Sequence, residues 1–326
     1  MGRFGKFLSG LAAVLGLLAA SACGGSGGSG SSSAGYVHSG RAYQARNVVI
    51  LVLDGPRQSE MWGDPTRACI PNLAALAPAG TLLSGFQNAH HTYTMAGHTA
   101  ILTGVYQEYL NLSTNQHPDH AGIFQHFLQA SGLDRNQAWI VSSKDTLALL
   151  GDTEDTAWRG KDQYQPSLWC GLDGQAFENG TDSATVAKAE AILSSDHPRL
   201  MLISLRQPDS AAHAGVWADY LAALKASDAH AAEIWNALQA DPVYAGRTDL
   251  FITHDHGRHD GENFTQHGDD CAGCRHVALL ALGPDIKAGV EISSGGELID
   301  VAPTVAELLG LDLPDARGRL LSELLK

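Results

Sequence analysis

Basic residues are scarce. Only 21 Lys and Arg stand against 35 Asp and Glu in 326 residues, a net charge of −14. Binding a nucleic-acid backbone relies on Lys and Arg, so that class of partner is excluded as a bulk target. A small anionic substrate is not, because a local metal ion reverses the field inside one pocket. Long apolar runs are missing beyond the N-terminus, and with them any later transmembrane helix. There is no internal repeat. What is present is 44% hydrophobic residue content, ample for one large core or two small ones.

The N-terminus reads as an address. MGRFGKF supplies positive charge, LSGLAAVLGLLAA is apolar but too short to span and anchor, and small residues follow. We expect a signal peptide over residues 1–22. The run ends ASAC before GGSGGSGSSSAG, so a small-residue site precedes Cys23 as in a bacterial lipobox, with Ala20 where Leu is more usual. An ordinary cleavable signal is the plainer alternative. The lipobox reading makes Cys23 lipidated and residues 23–45 a Gly/Ser-rich tether. It leaves 46–326 as the catalytic domain. The protein is then exported, periplasmic or at the cell surface, and held to the membrane by lipid alone. Export permits disulfides. Cys271-Ala-Gly-Cys274 is the expected structural bridge, since Asp269 and Asp270 beside it suit a redox pair poorly. Cys69 and Cys170 are left as the second pair by elimination.

From Asn47 onward, short apolar runs alternate with amphipathic segments. NVVILVLD (47–54), QAWIVSS (137–143), RLMLISLR (199–206), TDLFITH (248–254) and HVALLALG (276–283) read as buried strands. PNLAALAPAG, the run from Thr94, SATVAKAEAILSS, the long segment from Trp217 and IDVAPTVAELLG read as helices. This alternation implies an α/β fold with a mostly parallel central sheet sandwiched by helices. The stretch from Gly151 to about residue 181 has no clear period. It is expected to be a small irregular insertion near the active site.

In such sheets reactive residues collect beyond the carboxyl ends of the strands. Asp54 ends the first strand, Asp209 follows a later one inside PDSAAHAG, and Asp255-His256 ends another. Each alone reads more readily as a turn, a cap or a loop than as a functional site. Together with five histidines between His254 and His276, they have the composition of a metal site. Carboxylate and imidazole ligands without thiolate suit Zn²⁺ with an open position. TYTMAGHTAILTG (92–104) opens an apolar helical run with a hydroxyl. Thr94 is either a helix N-cap or a nucleophile beside the free N–H groups of a first turn.

As a set these residues resemble the alkaline phosphatase superfamily, in its nucleotide pyrophosphatase and type I phosphodiesterase-like branch. The similarity lies in Leu51-Val52-Leu53-Asp54-Gly55, Thr94 with Thr103-Gly104, Asp209 with His213, Asp255-His256-Gly257, His267-Gly268, and Ile299-Asp300-Val301-Ala302-Pro303-Thr304. It implies two Zn²⁺: one held by Asp54, Asp255, His256 and the Thr94 oxygen, the other by Asp209, His213 and His267. It also implies phosphoester hydrolysis through a phospho-threonine at Thr94, with a small phosphorylated substrate. A phosphonate hydrolase, a phosphomutase or a non-catalytic metal-binding lipoprotein are the alternatives on this scaffold.

Three departures matter. Ala96 and His98 follow Thr94 where a sulfatase needs Cys/Ser-x-Pro-x-Arg, so sulfate-ester cleavage by that route is not expected. Ala96 also stands where a proline is common in the phosphodiesterase branch. Ser142 to Thr146 resembles a phosphate-holding Lys-x-Arg element. Lys144 is present as a catalytic and substrate-binding candidate, but Thr146 replaces the arginine, which weakens bidentate recognition of a monoester dianion. His276, inside an apolar run, is the rival to His267 for the last ligand position and reads better as a satisfied strand histidine.

Overall fold

Continuous β-branched runs need both faces covered, and the computed structural model shows how that is met. It describes residues 35–108, 116–175 and 178–326. The expected signal segment and Cys23 lie outside the described residues. Eight strands form one sheet: β1 (Asn47–Leu53), β2 (Gly80–Leu83), β3 (Ala138–Ser142), β4 (Ser167–Cys170), β5 (Leu200–Leu205), β6 (Thr248–Thr253), β7 (Leu279–Leu282) and β8 (Val290–Ile292). Their order is β4-β3-β5-β1-β6-β7-β2-β8. All pairings are parallel except those of β7, which runs against both β6 and β2.

The helices are α1 (Pro71–Leu76), α2 (Thr94–Thr103), α3 (Ile123–Ser131), α4 (Asp182–Ser195), α5 (Gln207–Ala214), α6 (Trp217–Ala240), α7 (Ala272–Arg275) and α8 (Val301–Leu309). The alternation of β1 assigns its two faces. Val48, Ile50 and Val52 join one apolar layer with residues of α2, α3 and α8. Val49, Leu51 and Leu53 join the other with residues of α1, α4 and α6. Side chains on successive strand residues point to opposite faces, so a run apolar at every position fits only a sheet covered on both sides. The central strands β5, β1 and β6 therefore all discharge their chains at one buried edge, with Asp54 directly after β1, α5 soon after β5, and Asp255 after β6.

Three expectations need correction. The folded part begins about ten residues earlier than the expected tether boundary: Tyr36 N donates to Leu313 O at 2.8 Å, Ser39 hydrogen-bonds Glu307, and Ala45 is buried. The stretch after Gly151 is not structureless, since it contributes the edge strand β4. Its Trp158 packs against His126 on α3, and Tyr164 packs on Trp158. Finally, all four described cysteines are free thiols. Cys271 Sγ accepts from Cys274 N at 3.2 Å instead of bonding to its sulfur. Cys69 and Cys170 belong to apolar layers on opposite faces of the sheet, so they do not pair.

Candidate metal centre

Thr94 is not the cap of α2. Tyr93 holds the N-cap position in an extended conformation without a side-chain cap bond, and Thr94 is the first helical residue. The first-turn N–H groups of a helix have no intrahelical partner, so they face outward beside the Thr94 hydroxyl. That hydroxyl accepts a hydrogen bond from Lys144 Nζ at 2.7 Å. The same ammonium donates to Asp54 Oδ2 at 2.8 Å and Asp209 Oδ2 at 3.0 Å. Lys144 thus ties residues delivered by three elements into one cluster.

The strongest sign of a metal lies in what the surrounding carboxylates do not contact. Asp255 Oδ1 accepts from Gly55 N at 3.1 Å and His256 N at 3.0 Å, while its Oδ2 is buried with no hydrogen-bond partner. Asp54 Oδ1 and His256 Nε2 are orphaned in the same way. These three atoms converge: His256 Nε2 is 3.4 Å from Asp54 Oδ1 and 3.6 Å from Asp255 Oδ2. Buried polar atoms are ordinarily satisfied, so three orphans aimed at one point are the mark of a cation position. His256 Nδ1 faces Gly257 O at 2.9 Å, which makes Nδ1 the donor and leaves Nε2 with the lone pair a metal needs.

A second group adjoins it. Asp209 lies in the first turn of α5 and His213 one turn later, so helical spacing puts both on one face. His213 Nε2 is 3.1 Å from Asp209 Oδ1 and 3.0 Å from His267 Nε2, and His267 Nε2 is 3.4 Å from Asp209 Oδ1. His267 Nδ1 donates to Thr92 O at 2.7 Å, again freeing Nε2. Two lone-pair nitrogens and a carboxylate oxygen meeting at this spacing fit a shared cation. Six of the seven residues expected for the two metals are therefore in these two adjoining groups, and Thr94 is joined to Asp54 and Asp209 through Lys144. His276 is elsewhere, its Nε2 donating to Ser84 O at 2.8 Å.

The electrostatics agree. Burial presses the Asp54 carboxyl upward, but Lys144 and His256 hold it down at about 2. Burial also presses Asp209 upward, and the His213 hydrogen bond, Lys144 and Arg258 hold it well below the ordinary carboxylate range. Burial would lower the Lys144 ammonium, yet Asp54 and Asp209 raise it above the usual lysine value. Burial, reinforced by His256, brings His267 down to about 3, so it is a neutral ligand near pH 7.

Three neighbours escaped the sequence reading. Arg258 is fully buried, donates to Gly55 O at 2.9 Å and to Asp209 O at 3.0 Å, and pairs with Asp209 Oδ1. His98, one turn along α2, sits between Thr94 O at 2.9 Å and Ser204 Oγ at 3.0 Å. Asn88 Nδ2 donates to Asp255 O at 2.8 Å. The position of Arg258, one residue beyond Asp-His-Gly, was the available signal for it.

Comparisons with known proteins place the fold. The phosphoglycerate mutase (2,3-bisphosphoglycerate-independent) of Syntrophotalea carbinolica is 32% identical over 154 residues, 45% of this chain and 27% of that protein. The same enzyme of Haloquadratum walsbyi is 28% identical over 137 residues, 42% of this chain and 26% of that protein. The chain thus matches about a quarter of the length of these curated relatives. Among solved structures, murine ectonucleotide pyrophosphatase/phosphodiesterase 5 superposes with a TM-score of 0.64 at 14% identity, covering 86% of this chain and 100% of that one. The phosphonate monoester hydrolase of Agrobacterium radiobacter gives a TM-score of 0.64 at 16% identity, over 86% and 77%. The family model of the metalloenzyme superfamily matches residues 46–313, and with this fold the chain belongs to that superfamily, built on the alkaline phosphatase-like plan.

Proposed function

We propose that this protein is a phosphoric ester hydrolase that holds two Zn²⁺ and transfers the phosphoryl group through Thr94. The observation that carries the reading is the set of three buried, unpartnered ligand atoms on Asp54, Asp255 and His256, with Lys144 bridging Asp54 to Thr94 beside them. Asp54, Asp255, His256 and the Thr94 oxygen would hold one ion, and Asp209, His213 and His267 the other. When bound, such a pair supplies Lewis-acid stabilisation of the attacking and leaving oxygens of an in-line displacement.

The protein's own groups set up the rest. Lys144 stays protonated, so it donates to Thr94 Oγ and favours the alkoxide rather than acting as its base. The exposed N–H groups at the start of α2 favour negative charge on the transferred group. Arg258 and Lys144 each grip a different oxygen of Asp209, which fixes the carboxylate's direction. Thr94 takes the phosphoryl group and the ester alcohol leaves. Water then cleaves the phospho-threonine and restores the hydroxyl. The substrate is a small phosphorylated molecule. A phosphomutase is the second reading, favoured by the mutase identity of the curated relatives; it would return the phosphoryl group to an alcohol rather than to water. In the cell we propose an exported enzyme, periplasmic or at the cell surface, tethered to the membrane by a lipidated Cys23.

Counting metal ions tests the centre. Wild-type protein should carry zinc in both groups and lose ester hydrolysis on chelation. Asp209→Ala should lose one of these ions, because Asp209 is the only carboxylate of its group. Retention of both in that variant would overturn the ligand assignment.

A further inference from the structure

The loop from β6 to β7 carries a second constellation that the catalytic reading does not use. His259, Asp269, Cys271 and Cys274 each offer one ligand atom, and all four atoms lie within 4.8 Å of one another. We propose that these residues form a separate structural metal site for a thiophilic divalent ion of the zinc type. This inference does not rest on the catalytic reading, since none of the four belongs to that centre.

Two thiolates, one imidazole and one carboxylate make a tetrahedral donor set. Around an ion with sulfur ligands at about 2.3 Å and nitrogen or oxygen at about 2.0 Å, neighbouring donors stand roughly 3–4 Å apart, close to the spread already present. The backbone is shaped for it. Cys271 Sγ accepts from Cys274 N at 3.2 Å across the Cys-x-x-Cys turn, which places both sulfurs on one side. Asp269 accepts from Cys271 N at 3.1 Å through Oδ1, and its Oδ2 faces His259 Nε2 at 2.9 Å. The His259 ring presents Nε2 to the cluster. A disulfide or a redox dithiol has no need of a histidine and an aspartate converging on the two sulfurs; a metal does. Binding releases the two thiol protons to solvent as the sulfurs become thiolates.

The placement gives the site a purpose. Gly257 N donates to Cys274 O at 2.7 Å, joining the Cys-x-x-Cys turn to the segment that carries His256. Asp269 O accepts from Thr92 Oγ1 at 2.7 Å, and Thr92 O holds the His267 ring. An ion here would fasten a loop that has little regular structure of its own but carries three candidate catalytic ligands, Asp255, His256 and His267.

Cobalt reports thiolate ligation directly, and the catalytic groups contain no thiolate. Full-length protein reconstituted with Co²⁺ should show near-ultraviolet thiolate-to-cobalt charge-transfer absorption. Cys271→Ser/Cys274→Ser should abolish that absorption and bind one ion fewer per chain than wild type. Asp209→Ala should keep the band while losing a different ion, so failure of either site is read separately. Cys271 and Cys274 should alkylate only after chelation. Absence of the band in the wild type, whether with both thiols freely alkylated without chelator or with an intact mass two protons lower from a 271–274 disulfide, would overturn the proposal without any variant having to fold.

Discussion

Thr92 and Thr94 stand two residues apart, yet their hydroxyls have different surroundings. Thr94 Oγ1 meets Lys144, whereas Thr92 is fully buried, donates to Asp269 O at 2.7 Å and accepts from Gly268 N at 3.0 Å. Thr92→Ala should therefore cost about 1–3 kcal/mol of stability, because buried backbone partners are left unsatisfied. Its effect on turnover should be modest by comparison. Thr94→Ala removes no cap, so its denaturation midpoint should stay near wild type while hydrolysis falls by orders of magnitude. Chemical denaturation beside steady-state rates checks both; a stable Thr92→Ala or an unstable Thr94→Ala would contradict the assignment of the two hydroxyls. At this scale Asp54, Asp209, His213, Asp255 and His256 were legible as candidates because each sits in a short motif after a strand. Arg258 was not, because a lone arginine in a polar loop reads as a solvated surface charge. Only the folded chain shows its guanidinium buried against Asp209. Thr94 was legible as a special hydroxyl, but its position inside the helix rather than at the cap was not.

Helix α2 reaches the site only because Gly97 lets it. A Cβ at Gly97 would lie 2.3 Å from Asp255 O and 2.8 Å from Asp255 Cβ. Gly97→Ala should push Asp255 away from Asp54 and His256, lower stability by about 1–3 kcal/mol and deplete the adjoining ion. Metal analysis of the folded variant checks this, and a full complement with wild-type activity would show that the close contact is dispensable. Element by element, legibility followed burial. β1 and β5 are central and apolar at nearly every position, and β6 carries a buried Leu-Phe-Ile core, so their runs announced them. The short β2, β4 and β8 hold four, four and three residues, too few for a period to emerge. β4 is the clearest loss, hidden in a stretch with no pattern because it pairs on one edge only. HVALLALG was read as strand from His276, but the ladder of β7 begins at Leu279, the preceding residues bridging to the Phe86–Gln87 segment instead.

Across the whole molecule, acidic excess coexists with a buried acid at the opposite end of β6 from the candidate site. Asp249 is fully buried in β6, its Oδ2 has no partner, and burial with nearby Asp285 raises its pKa to about 7 from an ordinary 3.8. The folded state therefore keeps a proton that the unfolded chain releases. Stability from this group is present below about pH 4 and is lost as pH rises through 7, with a slope of at most about 1.4 kcal/mol per pH unit. Asp249→Asn should flatten that fall and stabilise the protein at pH 8. Melting curves across this range check it, and an unchanged profile would show that Asp249 does not titrate as described.

On the proposed function, phosphoryl transfer passes through Thr94. Enzyme caught in acid during turnover of a phosphate ester labelled in its phosphoryl group, then digested and mapped, measures this most directly. The expected result is label on Thr94, lost in Thr94→Ala together with activity and recovered in part by Thr94→Ser. Label on Thr92 or Lys144, or undiminished turnover by Thr94→Ala, would contradict it.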